Sequence, residues 1–283
     1  MKKEYLLYNK TVSLYFEEKD WKGKKIHVYT DKNGEKVKSV TTFTGVINKP
    51  NLITWAVDLG VATIAEGLGI VPKGYFSEES DRPEKKRKWK DLLQEIKNKK
   101  IITNALDIAK IIIEGKGKHD DVKERAADWG TEIHKLASLW IKGKGKIKIE
   151  VPDNPKIRNG FLAFMKFQDE YKIKWLESER LVYSKKHNFA GTLDAVGKIG
   201  KDLVLIDFKS SNGLYPENAF QAAGYQIAYE EETGIKIDYT IVIRFGKDDG
   251  EFEVQEYRES VKDKNAFISC LFLKRRLLEL GAW

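Results

Sequence analysis

Two aspartates and a lysine, Asp194, Asp207 and Lys209, fall within the stretch GTLDAVGKIGKDLVLIDFKSS at residues 191–211. Val196, Ile199 and the run Leu203 to Ile206 are strand formers, and Gly200-Lys201 makes a two-residue hairpin loop with glycine first. Around that loop Ile199 faces Asp202, and counting back along both strands brings Asp194 opposite Asp207, with Cβ atoms about 4.5–5.5 Å apart. Two like charges at roughly 5 Å repel by about 3 kcal/mol at an effective dielectric of about 20. A hard divalent cation between them turns that repulsion into a binding site. Lys209 follows Asp207 by two residues, so its ammonium projects on the carboxylate side while Phe208 points into packing. A loop shifted by one residue would move Asp194 to the opposite face. For an isolated Asp-x-Lys the plain reading is a structural ion pair, with Asp194 capping a turn.

The elements around the hairpin carry further polar groups. Residues 121–141 place Val122, Ala126, Trp129, Ile133, Leu136, Ala137 and Trp140 at helical spacing. Beside that stripe run Ala127, Gly130, His134 and Ser138. Glycine inside a helix costs about 1 kcal/mol relative to alanine, so Gly130 implies close approach of another backbone, with His134 one turn later on the same side. A lone histidine there is otherwise a satisfied structural residue. Residues 216–233 read as a helix opened by Pro216 and stopped by Gly234. On it Gln221 and Tyr225 stack four apart, and their polar atoms need partners if buried. The ordinary reading is an amide and a hydroxyl packed at a helix edge.

Gly130-x-x-x-His134, Gly191-Thr192-Leu193-Asp194, Asp207-Phe208-Lys209 and Gln221-x-x-x-Tyr225, in this order and on helix, hairpin and helix, resemble the RecB-like branch of the PD-(D/E)xK nuclease superfamily. The segment from Ser39 to Thr42 through Lys49-Pro50 and Leu52-Ile53-x-Trp55-Ala56 is similar to the entry segment of phage or prophage exonucleases of that branch, so the resemblance covers residues 39 to about 245. It implies an α/β fold, a PD-(D/E)xK restriction-endonuclease-like core whose central mixed β-sheet is flanked by helices. It also implies roles. Asp194, Asp207 and the backbone carbonyl of Phe208 would bind Mg²⁺ or Mn²⁺, with His134 as an additional ligand. Lys209 would orient or help deprotonate the attacking water, and Gln221 and Tyr225 would support the site and the DNA backbone. The expected activity is metal-dependent exonuclease action on single- or double-stranded DNA ends in phage-type recombination, repair or replication, beside a single-strand-binding or recombination protein as partner. A structure-specific endonuclease would use the same site. A catalytically silent DNA-binding protein on a nuclease scaffold is the alternative of another class. Leucine stands before Asp194 where other branches carry proline.

Composition narrows the chemistry. Some RecB-like nucleases hold an iron–sulfur cluster through four cysteines, whereas this chain has Cys270 alone, so no such cluster is expected and an intrachain disulfide is excluded. The Gly-Lys repeats at 115–118 and 143–146 lack the spacing of a P-loop, so no ATP site is expected. No run of about 20 apolar residues and no basic-then-apolar leader occurs, and the expectation is no membrane contact and a cytoplasmic place in a bacterial or phage-infected cell.

Lys and Arg number 51 against 43 acids, a formal charge of +8. The excess clusters at Lys85 to Lys90, Lys97 to Lys100, Lys116 to His119 and Lys142 to Lys148. Such clusters can track phosphates, and an interleaved Trp89 can stack on a base, although a solvated lysine-rich face is the equal alternative for any one of them. Candidate DNA contacts are Lys86, Arg87, Trp89, Lys185, Ser210 and Tyr225.

The chain reads as one nuclease domain over 1–283: a small β-element at 1–50, a mainly helical elaboration at 51–120 and the nuclease core with a C-terminal helix at 121–283. Strands are expected at 11–17, 26–30 and 36–44, with a turn at Asp31-Lys32-Asn33-Gly34 between the last two. A helix follows at Asp153 to Ile173, a first core strand at Glu179 to Tyr183, a strand near Ile237 to Ile243 and a terminal helix at 261–280. Glu177 and Glu179 lie two apart near that first strand; a structural role is expected for them, with one as a candidate to reach the metal.

Overall fold

The computed structural model describes residues 2–21, 24–47 and 125–281, together with the isolated helical positions 60, 63, 64 and 66. The chain divides into one unit of Met1–Ile47 with Asp128–Trp283 and a second of Asn48–Ala127. Nearly all of the expected helical elaboration at 51–120, with Lys86, Arg87 and Trp89, lies outside the described residues.

The first unit is a mixed sheet with helices on both faces. Its strands are β1 (Lys3–Leu7), β2 (Val12–Trp21), β3 (Lys24–Thr30), β4 (Lys36–Ser39), β5 (Lys174–Ser184), β6 (Phe189–Ile199), β7 (Asp202–Lys209), β8 (Tyr239–Phe245) and β9 (Phe252–Tyr257). Its helices are α1 (Val40–Thr44), α2 (residues 125–142, the first three of which belong to the second unit), α3 (Pro155–Tyr171), α4 (Pro216–Thr233) and α5 (Ser260–Glu279). The order is β1-β2-β3-β4-β6-β7-β8-β9, with β5 also on β6; the β4–β6 and β7–β8 pairs are parallel and the others antiparallel. None of the described helices is long and apolar enough to cross a membrane.

Strand β7 shows why its sequence is apolar throughout. Val204, Ile206 and Phe208 enter a core with Ile133, Leu136, Phe161, Phe164 and Phe167 of α2 and α3. Leu205 enters the opposite core, with Val40 and Phe43 of α1, Ala222 and Tyr225 of α4 and Phe267 and Leu271 of α5. A strand covered on both faces has no solvated side to give it alternation.

The expected strand at 36–44 is half right. It stops at Ser39, whose side chain accepts from Thr42 N–H at 3.2 Å and caps α1, so local capping overrides the β-branched run Val40-Thr41-Thr42. Strands β1 and β9 were not anticipated. Strand β1 joins β2 through Tyr8-Asn9-Lys10, three consecutive residues at positive φ that carry no glycine to announce the turn.

The β6 strand positions the chemistry. One edge is occupied by β5 from Ser184↔Phe189 to Lys174↔Lys198. The other edge is shared: β7 pairs from Ile199↔Asp202 to Ala195↔Ile206, and β4 pairs at Lys38↔Phe189 and Ser39↔Ala190. Between these two partners Gly191-Thr192-Leu193-Asp194 has no ladder partner on that edge among the described residues. The sheet therefore splits at this motif.

Candidate metal centre

The hairpin register is the one the loop implies, with Ile199↔Asp202 and Ala195↔Ile206, and Gly200 sits at φ +61 where glycine is needed. The ladder ends before Asp194 and Asp207 pair. Instead the carboxylate of Asp194 reaches over the split, and its Oδ2 accepts from the backbone N–H of Phe208 at 2.7 Å. The other oxygen, Oδ1, lies 3.3 Å from Nδ1 of His134 on α2. Lys209 Nζ approaches Asp207 Oδ2 to 2.5 Å and donates to Gln221 Oε1 at 3.3 Å, and Gln221 Nε2 donates to the Tyr225 hydroxyl at 3.0 Å. The four sequence motifs thus meet in one place through two short chains of polar contacts.

The two glycines of those motifs are set by close approach. A Cβ on Gly130 would collide with Oγ of Ser210 and stand 3.3 Å from its Cβ, so α2 lies close against the chain just after β7. The neighbour is a side chain rather than the backbone anticipated. A Cβ on Gly191 would lie 2.5 Å from Cε1 of Tyr225, whose ring covers the split in β6.

One carboxylate enters the centre from the Glu177 and Glu179 pair, for which the sequence favours a structural role with one of the two as a candidate to reach the metal. A ligand atom from each of His134, Glu179 and Asp194 lies within 4.8 Å of the other two. Glu179 stands opposite Asp194 where the β5–β6 ladder, with Ser178↔Ala195 and Arg180↔Leu193 on either side, omits a pair. Its φ is +51, a left-handed conformation that costs a non-glycine residue about 1–2 kcal/mol. Both strands lose their alternation here. Glu177 and Arg180, three apart, both meet α4, and Leu193 and Val196, three apart, share the core with α4. Residues three apart in a regular strand face opposite ways. A run of strand-forming residues gives no sign of such a slip, so Glu179 could not be separated from Glu177 by sequence.

Electrostatics follow from the crowding. Asp207 is 1% exposed, and burial, against the pull of Lys209 and with the push of Asp194, raises its carboxyl to about 6. Its Oδ2 makes no aligned hydrogen bond, since Lys209 approaches outside hydrogen-bonding geometry. For Asp194 burial opposes ionisation, but the charge and hydrogen bond of His134 outweigh it and hold the carboxyl below its usual range. Burial likewise disfavours the imidazolium of His134, and Asp194 overrides it to raise the imidazole. Glu179, at the solvent-open mouth, is pushed up to about 7 by crowding protein atoms and then by the Asp194 charge.

This donor set fits a divalent cation. Ligand atoms about 2.1 Å from one Mg²⁺ and at right angles lie roughly 3 Å apart, close to the His134–Asp194 separation. Three carboxylates face one ammonium and one imidazole, and a buried Asp207 oxygen lacks an aligned donor. Asp207 lies beside the three-ligand group, engaged with Lys209. The ring of Phe208 is buried in the α2–α3 core. Of the remaining candidates, Ser210 packs on Gly130, and Lys185 sits in the β5–β6 turn with its ammonium 5.6 Å from the Tyr8 ring.

No protein-family profile matches the chain, and no curated protein matches it in sequence. Among solved structures it is similar to an alkaline exonuclease, LHK-Exo, from Laribacter hongkongensis, at TM-score 0.27 and 16% identity over 52% of this chain and 83% of that one. A second similar structure is LHK-Exo in complex with dAMP, at TM-score 0.27 and 18% identity over 54% of this chain and 93% of that one.

Proposed function

We propose that the chain is a metal-dependent deoxyribonuclease that hydrolyses phosphodiester bonds at DNA ends, with Mg²⁺ or Mn²⁺ at the His134, Glu179 and Asp194 cluster. The observation that carries this reading is the placement of that cluster beside a buried Asp207 and a lysine held at it. When bound, the cation would supply positive charge to the phosphoryl group and lower the pKa of water at the site. His134, Glu179 and Asp194 would hold it, and Asp207 would add a carboxylate from β7, next to the Phe208 carbonyl. An ammonium has three donors. Gln221 takes one of those of Lys209, and Asp207 holds its charge at ion-pair distance, leaving donors for the attacking water or a phosphate oxygen. Gln221 is itself fixed by Tyr225, and burial followed by the charges of Asp207 and Asp194 keeps that phenol neutral. The site thus orients a nucleophile and stabilises charge on the same phosphate, which phosphodiester hydrolysis requires.

The test is digestion of end-labelled linear single- and double-stranded DNA with Mg²⁺, Mn²⁺ or EDTA, beside a covalently closed circle and the Asp207→Ala variant. Metal-dependent loss of linear DNA, abolished in the variant and sparing the circle, is the expected result. Cutting of the circle would replace end-directed action with an endonuclease, and binding without cutting under every metal would overturn the nuclease.

A further inference from the structure

Glu179 leaves the regular path of β5 at φ +51, and a strained residue persists only where its surroundings fix it. The residues on either side of it are gripped by α4. Arg180 donates through Nη1 to Glu177 Oε2, closing a bridge over Glu179, and through Nη2 to Glu232 Oε1 at 3.0 Å. The other oxygen of Glu177 accepts from the Tyr229 hydroxyl at 3.0 Å, and the guanidinium lies 5.0 Å from the centre of the Tyr229 ring. The side chain of Glu232 is only 6% exposed, so this is a largely buried fork rather than a surface pair. In an unbroken strand Glu177 and Arg180 would project to opposite faces. Holding both on α4 requires a break in side-chain alternation between them; the pairing register with β6 is unchanged there, its shift lying between Trp175 and Glu177, and Glu179 is the residue between them at positive φ.

We propose that the Glu177–Arg180–Glu232–Tyr229 clasp is a positioning device for the cation site: by fixing both flanks of Glu179 on α4, it aims the Glu179 carboxylate at His134 and Asp194 and so sets the affinity for the divalent ion. The inference rests on reading Glu179 as a ligand of that ion. None of the four clasp residues belongs to the ligand group; they act through Glu179.

A double-mutant cycle on Mn²⁺ binding, measured by isothermal titration calorimetry on the full chain without DNA, tests this. Glu177→Ala removes the bridge while leaving Arg180 paired with the buried Glu232. It should weaken Mn²⁺ binding by about fivefold or more in the wild-type background. Glu179→Gln should weaken it at least as much, and adding Glu177→Ala to Glu179→Gln should change nothing further. An effect of Glu177→Ala that persists undiminished beside Glu179→Gln, or no effect in the wild-type background, would overturn the positioning role. Arg180→Lys keeps both charges and loses the fork; it should repeat the Glu179-dependent loss, and it carries the test should Glu177→Ala fail to fold. Wild-type protein that binds no Mn²⁺ would overturn the cation site and this inference together, whereas wild-type binding that Glu177→Ala leaves intact overturns the inference alone.

Discussion

The backbone N–H of Phe208 donates to the side chain of Asp194 at 2.7 Å, fastening β7 to β6 at the point where their ladder has ended. Asp194 therefore acts as a strand partner as well as a proposed anionic ligand. Asn at this position keeps an acceptor and Ala does not. Both substitutions remove the same charge, so the difference between them reports the side-chain contacts that Asn keeps and Ala loses, those to Phe208 N–H and to His134. We expect Asp194→Ala to be less stable than Asp194→Asn in EDTA by about 1–3 kcal/mol, the cost of a buried donor left unpaired. Mn²⁺ affinity should drop in both by more than the roughly 10–100-fold typical of an outer partner. Thermal unfolding in EDTA and Mn²⁺ titration check the two parts; equal stability of the variants would remove the strand-partner role.

Lys209 is the cation that Asp207 meets in a site where Asp207 is 1% exposed. Lys209→Met should reduce cleavage by about 10²–10⁴-fold, the range for a lost proton-transfer or orienting group. Mn²⁺ binding should survive, because Lys209 is not in the ligand group. In EDTA the variant should lose up to about 3 kcal/mol, since a buried carboxylate loses its counter-ion. Cleavage within tenfold of wild type would sink the role assigned to Lys209.

The β6–β7 hairpin was legible because local chemistry determines it: glycine at the loop, a strand covered on both faces, and Asp and Lys on alternate positions. Helices α3, α4 and α5 were legible for a similar reason, in that Pro155 and Pro216 open two of them and the left-handed Gly234 closes α4. What escaped is set by contacts distant in sequence. Glu179 adopts its left-handed conformation between β6 and α4, and no residue near it in the chain requires that. Strand β1 was missed because Tyr8, Asn9 and Lys10 turn without glycine, held by the Tyr8 hydroxyl, whose one proton is shared between the Tyr183 carbonyl at 2.9 Å and Glu231 at 2.8 Å. The ion-pair reading of Asp207 and Lys209 is a fact of the structure too, so the plain and the catalytic readings are not exclusive.

Gly191→Ala should act on Lys209 at a distance. The new Cβ would stand 2.5 Å from Tyr225 Cε1 and 3.2 Å from Val40 Cγ2, so the ring must move off the split in β6. Overpacking of this kind costs about 1–3 kcal/mol. Displacing Tyr225 frees Gln221 and with it one of the two contacts of Lys209. The expected outcome is a lower melting temperature and slower cleavage with Mn²⁺ affinity kept. Unchanged stability would show that the ring is not confined there.

Acid should loosen the N-terminal strands through Glu231. Its carboxylate accepts from Ser184 Oγ at 2.5 Å, Lys186 N–H at 2.9 Å and the Tyr8 hydroxyl at 2.8 Å. Burial opposes its charge, but these hydrogen bonds, led by that of Ser184, outweigh it and hold its pKa below the usual glutamate value. A depressed carboxyl contributes stability that is full above the unfolded-state pKa of about 4.3 and is lost as pH falls through the folded value. The stability gap between wild type and Glu231→Gln should therefore stay constant from about pH 7 to 5 and shrink below it. A gap that is flat into stronger acid, measured by urea unfolding, would contradict this.

Lys142, Lys144, Lys146 and Lys148 alternate with Gly143, Gly145, Ile147 and Ile149 in a segment pinned to the core. Gly145, at φ +67, would place a Cβ 3.2 Å from the Trp140 ring, and Ile149 packs on the α2–α3 cluster, so the four lysines are all turned to solvent. Lys142 is near enough to the mouth of the site that its charge acts on Glu179. A row of exposed cations beside the proposed nuclease centre should neutralise backbone phosphates on the way in. Each lysine that contacts duplex DNA contributes about 0.9 to the slope of log binding constant against log salt. Replacing Lys142 and Lys144 by Gln should lower that slope by up to roughly 1.8 and weaken binding alike for all sequences, with Mn²⁺ affinity unaltered. Fluorescence-anisotropy titrations of labelled duplex with Ca²⁺ across a salt series measure it; a slope identical to wild type would reduce the row to a solvated surface.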